Sequence, residues 1–352
     1  MKAAVWYGKK DVRVEDIPEP AAPGPGEVKI KVHWTGICGS DLHEYLAGPI
    51  FIPADAPHPL TGAQAPLTLG HEFSGEVVDV GEGVTNVEVG DQVTSDACQY
   101  CGECFMCKRN RYSLCEKLAF TGLMADGAFA ECVKVPAYSL YKLPPEISSD
   151  AGALVEPIAV GVHAIRRGRV LEGDTVAVVG AGTIGLVTLQ AARAAGASKV
   201  FVLEIAKARK EFAEELGATA VIDPTEVDPV EEIRRLTDGL GVDVAIECIG
   251  GEKTAPLTIQ LTRPGGRAVI VGIFEGPSEQ HFNDLVFTER EVYGSLAYYG
   301  EFDTAIALLS DGRLVAEPLI TGRIKLDDIV EQGFEELVAH KESNIKILVS
   351  PN

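Results

Sequence analysis

The stretch Thr175-Val-Ala-Val-Val-Gly180-Ala-Gly182-Thr183-Ile184-Gly185 decides how the C-terminal half of this 352-residue chain is read. An apolar, β-branched run stops at a glycine, passes through G-x-G-x-x-G and enters the helical pattern Leu186 to Ala195. Glycines at those positions let the chain turn tightly and let the backbone approach a pyrophosphate, whose charge is favoured at the helix N-terminus. Gly180, Gly182 and Gly185, with Thr183 and Ile184 between them, form the candidate cofactor loop. Nineteen residues after Gly185, at the end of the next apolar run Val200-Phe-Val-Leu, stands Glu204. A carboxylate there bonds the ribose hydroxyls of an adenosine and repels a 2′-phosphate, which predicts NAD as the dinucleotide. Lys207 and Arg209 follow on the helical stretch Ala206 to Leu216, as a solvated face or as a lid over the adenine.

Outward from this loop, further apolar runs (Val242-Asp-Val-Ala-Ile and Ala268-Val-Ile-Val) alternate with helical stretches, the signature of a parallel sheet. The N-terminal texture differs. From Val28 to about Tyr141, short alternating runs such as Val28-Lys-Ile-Lys-Val-His-Trp and Gly75-Glu-Val-Val-Asp-Val-Gly are broken by Gly and Pro, predicting a small barrel-like β domain. From about Ser295 come an amphipathic helix near Phe302 to Leu309 and the strand-like Ile345-Lys-Ile-Leu-Val. The β-rich start and this tail are expected to form one discontinuous domain, 1–155 completed by 295–352, around a dinucleotide-binding domain at 156–294. A chain of this length exceeds one ordinary core, so two domains are the default.

Fifty-two acidic against 31 basic residues give a net charge of -21, which repels phosphate backbones and anionic membrane surfaces, so no nucleic-acid or membrane partner is expected. The opening Met-Lys-Ala-Ala-Val-Trp-Tyr has no apolar signal region, and every apolar stretch is broken well short of about 18 residues. Cytoplasm is the expected location.

Four of the eight cysteines fall between Cys101 and Cys115. Their C-x2-C-x2-C-x7-C spacing (Cys101, Cys104, Cys107, Cys115) lets one loop wrap four thiolates around a tetrahedral zinc, a closed and therefore structural site. Cys98, three residues before Cys101, offers a register shifted by one ligand. A second constellation is dispersed: Cys38-Gly-Ser40-Asp41-Leu-His43, then Gly70-His71-Glu72, then Leu154-Val-Glu156-Pro157. Thiolate, imidazole and carboxylate are the mixed ligands of a catalytic zinc that keeps one position open. His33, His58, His163, His281 and His340 fall in no such pattern and are read as structural.

Gly70-His71-Glu72, the Cys101 to Cys115 lobe and Gly180 to Gly185 occur in the order typical of zinc-containing medium-chain alcohol dehydrogenases, and the resemblance covers essentially the whole chain. Leu154-Val-Glu156-Pro157 resembles the polyol and butanediol branch of that family. Asp41-Leu-His-Glu-Tyr-Leu-Ala-Gly-Pro-Ile-Phe-Ile-Pro, His58-Pro-Leu-Thr-Gly and Ile324-Lys-Leu-Asp-Asp-Ile-Val-Glu-Gln-Gly-Phe-Glu look like the butanediol enzymes. The resemblance implies an α/β protein: a GroES-like β-rich catalytic domain and a Rossmann domain with a doubly wound parallel sheet. It implies a catalytic zinc held by Cys38, His71 and Glu156, with Glu72 as ligand or close neighbour, since related enzymes differ on which glutamate binds directly. Asp41 would orient His71, Ser40 and His43 would relay the proton, and Val271, Gly272, Ile273, Ser295 and Ala297 would border the nicotinamide. The implied reaction is oxidation of (R,R)-2,3-butanediol to acetoin with hydride transfer to NAD, and the reverse reduction of acetoin or diacetyl, by a homodimer or homotetramer carrying two zinc ions per chain. The alternatives are a sorbitol or xylitol dehydrogenase and, from another class, a zinc-stabilised nucleotide sensor without catalysis.

Overall fold

The computed structural model describes residues 1–351 and separates into two units, Met1–Glu156 with the segment from Ala316 onward, and Pro157–Val315. The first unit begins with β1 (Lys2–Gly8), β2 (Asp11–Asp16), β3 (Glu27–Gly36), helix α1 (Gly39–Ala47), β4 (Leu67–Thr68) and β5 (Glu72–Val80). It continues with β6 (Gln92–Ser95), the short pair β7 (Cys98–Gln99) and β8 (Ala119–Phe120), β9 (Cys132–Pro136), β10 (Leu140–Lys142) and helix α2 (Ser149–Ala153). The expected alternation is realised in β3, where Val28, Ile30 and Val32 are fully buried and pack with Phe73, Val77, Val93 and Val133. Burying each such side chain stabilises the fold by about 1.5–3 kcal/mol.

β3 is the hub of this unit. It pairs antiparallel with β5 from Val28 to Gly36 and with β9 over Glu27 to Lys31. The register sets Gly36 opposite Glu72, so the chain leaving β3 toward Cys38 and the chain entering β5 through His71 start from the same rung.

The second unit opens on helix α3 (Val155–Arg167), which starts at the boundary, followed by β11 (Thr175–Val179), α4 (Thr183–Ala194), β12 (Lys199–Leu203), α5 (Lys207–Glu215) and β13 (Ala220–Ile222). Then come α6 (Pro229–Leu236), β14 (Val242–Glu247), α7 (Thr254–Leu261), β15 (Thr262–Ile270), α8 (Asn283–Val286), β16 (Glu291–Gly294) and α9 (Phe302–Ser310). All six strands run parallel in the order β13-β12-β11-β14-β15-β16. The near-continuous apolar sequences of the central strands β11, β12 and β14 follow from burial on both faces, as in Ala177, Val179, Phe201 and Leu203. The strand order reverses between β11 and β14, the point where doubly wound sheets bind ligands beyond their carboxyl ends.

The return to the β-rich unit comes at Ala316, later than the expected Ser295. The reason is a buried polar tie: Glu301 accepts from Arg166 Nη1 at 3.0 Å and lies 3.2 Å from His163 Nδ1, while Gln190 Oε1 accepts from Val315 N at 2.8 Å. These contacts fasten residues 299–315 to α3 and α4. β17 (Ile320–Lys325) and β18 (Lys346–Ser350) then rejoin the first unit, β18 pairing antiparallel with β3 at Thr35 and Gly36.

Candidate active site

The four-cysteine loop folds on itself through two short helical turns, and the Sγ atoms converge: Cys101 to Cys107 at 3.9 Å, Cys104 to Cys107 at 3.5 Å and Cys101 to Cys115 at 3.5 Å. A tetrahedral zinc with bonds of about 2.3 Å to sulfur needs edges of about 3.8 Å, so the cage fits with little movement. Backbone N–H groups of Cys101, Cys104 and Lys117 point at sulfurs of the cluster at 3.3–3.4 Å. Backbone donors hold the Cys104 thiol down to about 6, whereas burial pushes Cys107 up to about 12. Cys98 stays outside the cluster, its backbone N–H donating to Asp96 Oδ1 at 2.7 Å.

The second cluster is assembled at the start of α1. Cys38 caps that helix: its N–H donates to Asp41 Oδ2 at 2.9 Å while the Asp41 backbone N–H faces the Cys38 side chain. The cap fixes the Asp41 carboxylate, whose Oδ1 lies 3.6 Å from His71 Nδ1, and both atoms are buried without a hydrogen-bond partner. On the opposite side of the ring, His71 Nε2 is 3.3 Å from Ser40 Oγ. Donor atoms of Cys38, His71 and Glu72 lie within 4.8 Å of one another. Glu156, buried in the first turn of α3, is not in that trio, although its charge acts on both His71 and Lys346. His43 is half-buried, one turn beyond Ser40 on α1.

Burial pushes Asp41 up to about 6 against the pull of His71 and the Cys38 N–H. Burial alone would lower His71, but the charges of Asp41 and Cys38 hold it well above its ordinary value. Three buried carboxylates, Asp41, Glu72 and Glu156, and the Cys38 thiol thus stand around one imidazole and one ammonium, a donor set that suits a dication. The ammonium is Lys346, buried on β18, which donates to Ile37 O at 2.8 Å and to both Glu72 oxygens at 2.8 and 2.6 Å. A Cβ at position 36 would run into the Glu72 carboxylate, so glycine there leaves that carboxylate room to face Lys346. Lys346 is missing from the sequence reading. Its signal was a single charge inside the apolar run Ile345 to Val349.

In the second unit the predicted loop stands at the carboxyl edge of the sheet. Gly180 has φ +98°, and a Cβ on Gly185 would strike the Gly180 carbonyl, so both are required by the turn itself. Gly182 differs: its φ is -72°, and the nearest atom a Cβ would meet is Arg209 Nη1 at 3.6 Å. That glycine keeps open the space in front of α4, whose first turn receives no side-chain cap. Thr183 and Ile184 begin the helix. Glu204 follows β12 and accepts from Ala181 N at 2.8 Å, Ile205 N at 2.7 Å and Ala206 N at 2.9 Å, tying the glycine loop to the neighbouring strand end. A carboxylate offers about four acceptor sites, so capacity remains for ribose hydroxyls. Lys207 is solvated, its side chain 89% exposed.

Val271, Gly272 and Ile273 leave β15, and Ser295 and Ala297 leave β16, at the same edge. Val271 N and Gly272 N bond the Glu247 carbonyl at 3.0 and 3.2 Å, and Ser295 N bonds Ile270 O at 2.9 Å. Ala297 holds φ +46°. Glu247, also absent from the sequence reading, anchors this edge by accepting from Ile249 N, Gly250 N and Thr254 Oγ1 at 2.7–2.9 Å. The acid closing the run Val242 to Ile246 was its signal.

Two family models match: "Alcohol dehydrogenase GroES-like domain" over residues 24–145 and "Zinc-binding dehydrogenase" over residues 183–311. The chain is 48% identical to the (R,R)-butanediol dehydrogenase of Bacillus subtilis and 43% identical to that of Neisseria gonorrhoeae, each over the full length of both proteins. The crystal structure of 2R,3R-butanediol dehydrogenase from Bacillus subtilis superposes with a TM-score of 0.94, covering 100% of this chain and 99% of that one. A likeness this extensive, end to end and in both units, makes the chain a member of the zinc-containing medium-chain alcohol dehydrogenase family.

Proposed function

We propose that this enzyme oxidises (R,R)-2,3-butanediol to acetoin with NAD, and reduces acetoin or diacetyl in reverse. The observation that carries the reading is the convergence of Cys38, His71 and Glu72 at the head of a helix that also bears Ser40 and His43. Full-length similarity to two proteins named (R,R)-butanediol dehydrogenase supports the substrate. Zinc, when bound, supplies a Lewis acid that eases loss of the alcohol proton, and NAD accepts the hydride.

The residues divide the remaining work. Cys38 and His71 hold the catalytic metal, with Glu72 as the carboxylate within reach and Glu156 as the second acid of the set. Asp41 fixes the tautomer and the angle of the His71 ring. Ser40 and His43 pass the alcohol proton outward, a task for groups that both donate and accept. Cys101, Cys104, Cys107 and Cys115 hold a second, structural zinc. In the other unit, Gly180, Gly182, Thr183, Ile184 and Gly185 receive the pyrophosphate and Glu204 the adenosine ribose, with Arg209 beside it. Val271, Gly272, Ile273, Ser295 and Ala297 line the nicotinamide end.

The protein acts as a homo-oligomer, at least a dimer. Strand β16 ends the sheet, and beside it Phe282, Phe287 and Val292 are 72%, 81% and 42% exposed, an apolar edge suited to a second copy. Four metal-binding thiolates suit the reducing cytoplasm.

The test is a rate panel with (R,R)-, (S,S)- and meso-butanediol, xylitol and sorbitol, using NAD and NADP in parallel. (R,R)-butanediol with NAD is expected to give the highest kcat/KM, and a higher value for xylitol or sorbitol refutes the assignment.

A further inference from the structure

Glu44 is fully buried on α1 and has no ion-pair partner among the described residues. Its carboxylate is gripped by three successive backbone N–H groups of the following loop: Oε1 accepts from Phe51 at 2.5 Å and from Ile50 and Ile52 at 3.2 Å, and Oε2 accepts from Ile50 at 3.0 Å. Its backbone carbonyl accepts from Gly48 N at 3.0 Å and Trp6 Nε1 at 3.1 Å. A buried charge is costly and persists only where charge-assisted hydrogen bonds satisfy it. Here those bonds do one thing, which is to hold residues 50–52 against α1.

The helix fixes where that segment lies. Ser40 and Glu44 are four residues apart and share one face of α1. Ser40 Oγ is 3.3 Å from His71 Nε2, and Glu44 stands one turn farther along α1, so the segment it clamps covers the helix next to the turn that carries Ser40. Ile52 is buried and Phe51 packs on the core beside Leu42 and Leu46, but Ile50 is 49% exposed, an apolar side chain without a core partner.

We infer that Glu44 is a positioning residue that sets an apolar substrate wall at Ile50 to Ile52, and with it the preference for a short diol flanked by methyl groups over a longer polyhydroxylated chain. The inference rests on the butanediol reading above. Glu44 touches no reacting atom. It acts through the loop, where apolar side chains reward methyl groups and leave extra hydroxyls without partners.

The test compares wild type with Glu44→Gln, whose amide group can no longer accept at both positions. kcat and KM are measured for (R,R)-butanediol and for xylitol, together with KM for NAD and zinc content. The expected result is a KM for butanediol raised about tenfold, the size typical of one lost charge-assisted bond, with kcat changed less than about threefold. The butanediol-to-xylitol ratio of kcat/KM falls about tenfold, while NAD affinity and zinc content stay unchanged. An unchanged ratio overturns the inference while leaving the butanediol reading intact, whereas a wild type that prefers xylitol overturns both. Should Glu44→Gln not fold, Ile50→Ala decides: the same fall in the ratio supports the wall, and an unchanged ratio removes it.

Discussion

The two cysteine-containing clusters of the first unit solve the same problem in opposite ways. The Cys101 to Cys115 cage is drawn from one loop of 15 residues, is complete in itself, and has its sulfurs already spaced near the edges of a tetrahedron. The Cys38, His71 and Glu72 cluster is drawn from the end of one strand and the start of another, leans on Lys346 from the far end of the chain, and leaves Asp41 Oδ1 and His71 Nδ1 unsatisfied. A closed cage stabilises. A cluster with strained charge balance and unmade hydrogen bonds is costly to hold, and such costs gather where chemistry is done.

The largest effect that sharpens this contrast is expected from Cys38→Ser. Turnover should fall by about 10³-fold or more, the scale of losing metal assistance, while Tm moves by less than about 2 °C and zinc content drops from two ions per chain to one. Metal analysis with steady-state kinetics checks it, and retained turnover with two ions would end the distinction. The mirror experiment is Cys107→Ser. One ion should again be lost, but Tm should now fall by at least about 5 °C, with kcat of the folded fraction changed only a fewfold.

Lys346→Met tests whether the open cluster depends on long-range charge. Leaving Glu72 buried and unpaired should cost about 3–5 kcal/mol in denaturant unfolding, and Glu72→Gln added to it should recover part of that loss. No recovery in the double variant would show that the pair is not coupled.

The smallest effect is expected at a buried carboxylate away from both clusters, Glu301. Burial raises its pKa, but His163, the Tyr299 N–H and Arg166 outweigh it and leave the folded value below the ordinary 4.5. A depressed folded value means stability that is present above about pH 4.5 and lost as the pH falls through the folded value. Glu301→Gln should therefore cost about 1–3 kcal/mol at pH 7, with the difference closing in more acidic buffer. A pH-independent difference would assign the loss to packing.

Legibility followed the same divide. The cysteine cage and the glycine loop were readable because their partners are neighbours in sequence, and local spacing dictates which atoms meet. The helices behaved likewise: α4 begins directly after Gly182, and α5 falls within the expected Ala206 to Leu216. The open cluster was readable only as a list of suitable residues. Nothing local said that a Glu72 oxygen would come within 4.8 Å of the Cys38 and His71 donor atoms, or that Lys346 would be the counter-ion, because those meetings depend on the β3–β5 and β3–β18 registers. The late domain return at Ala316 escaped for the same reason, since Glu301 lies more than 130 residues along the chain from both His163 and Arg166.

By itself, the sequence determined the parallel sheet with its glycine loop, the β-rich partner unit, the four-cysteine cage and the cast of acids, thiols and imidazoles around α1. Tertiary structure alone decided which of that cast converge, which carboxylate a buried lysine neutralises and which loop Glu44 holds. The physical reason is that periodicity and spacing fix contacts within a few residues. Contacts across hundreds of residues are fixed by strand register and core packing, which no short stretch encodes.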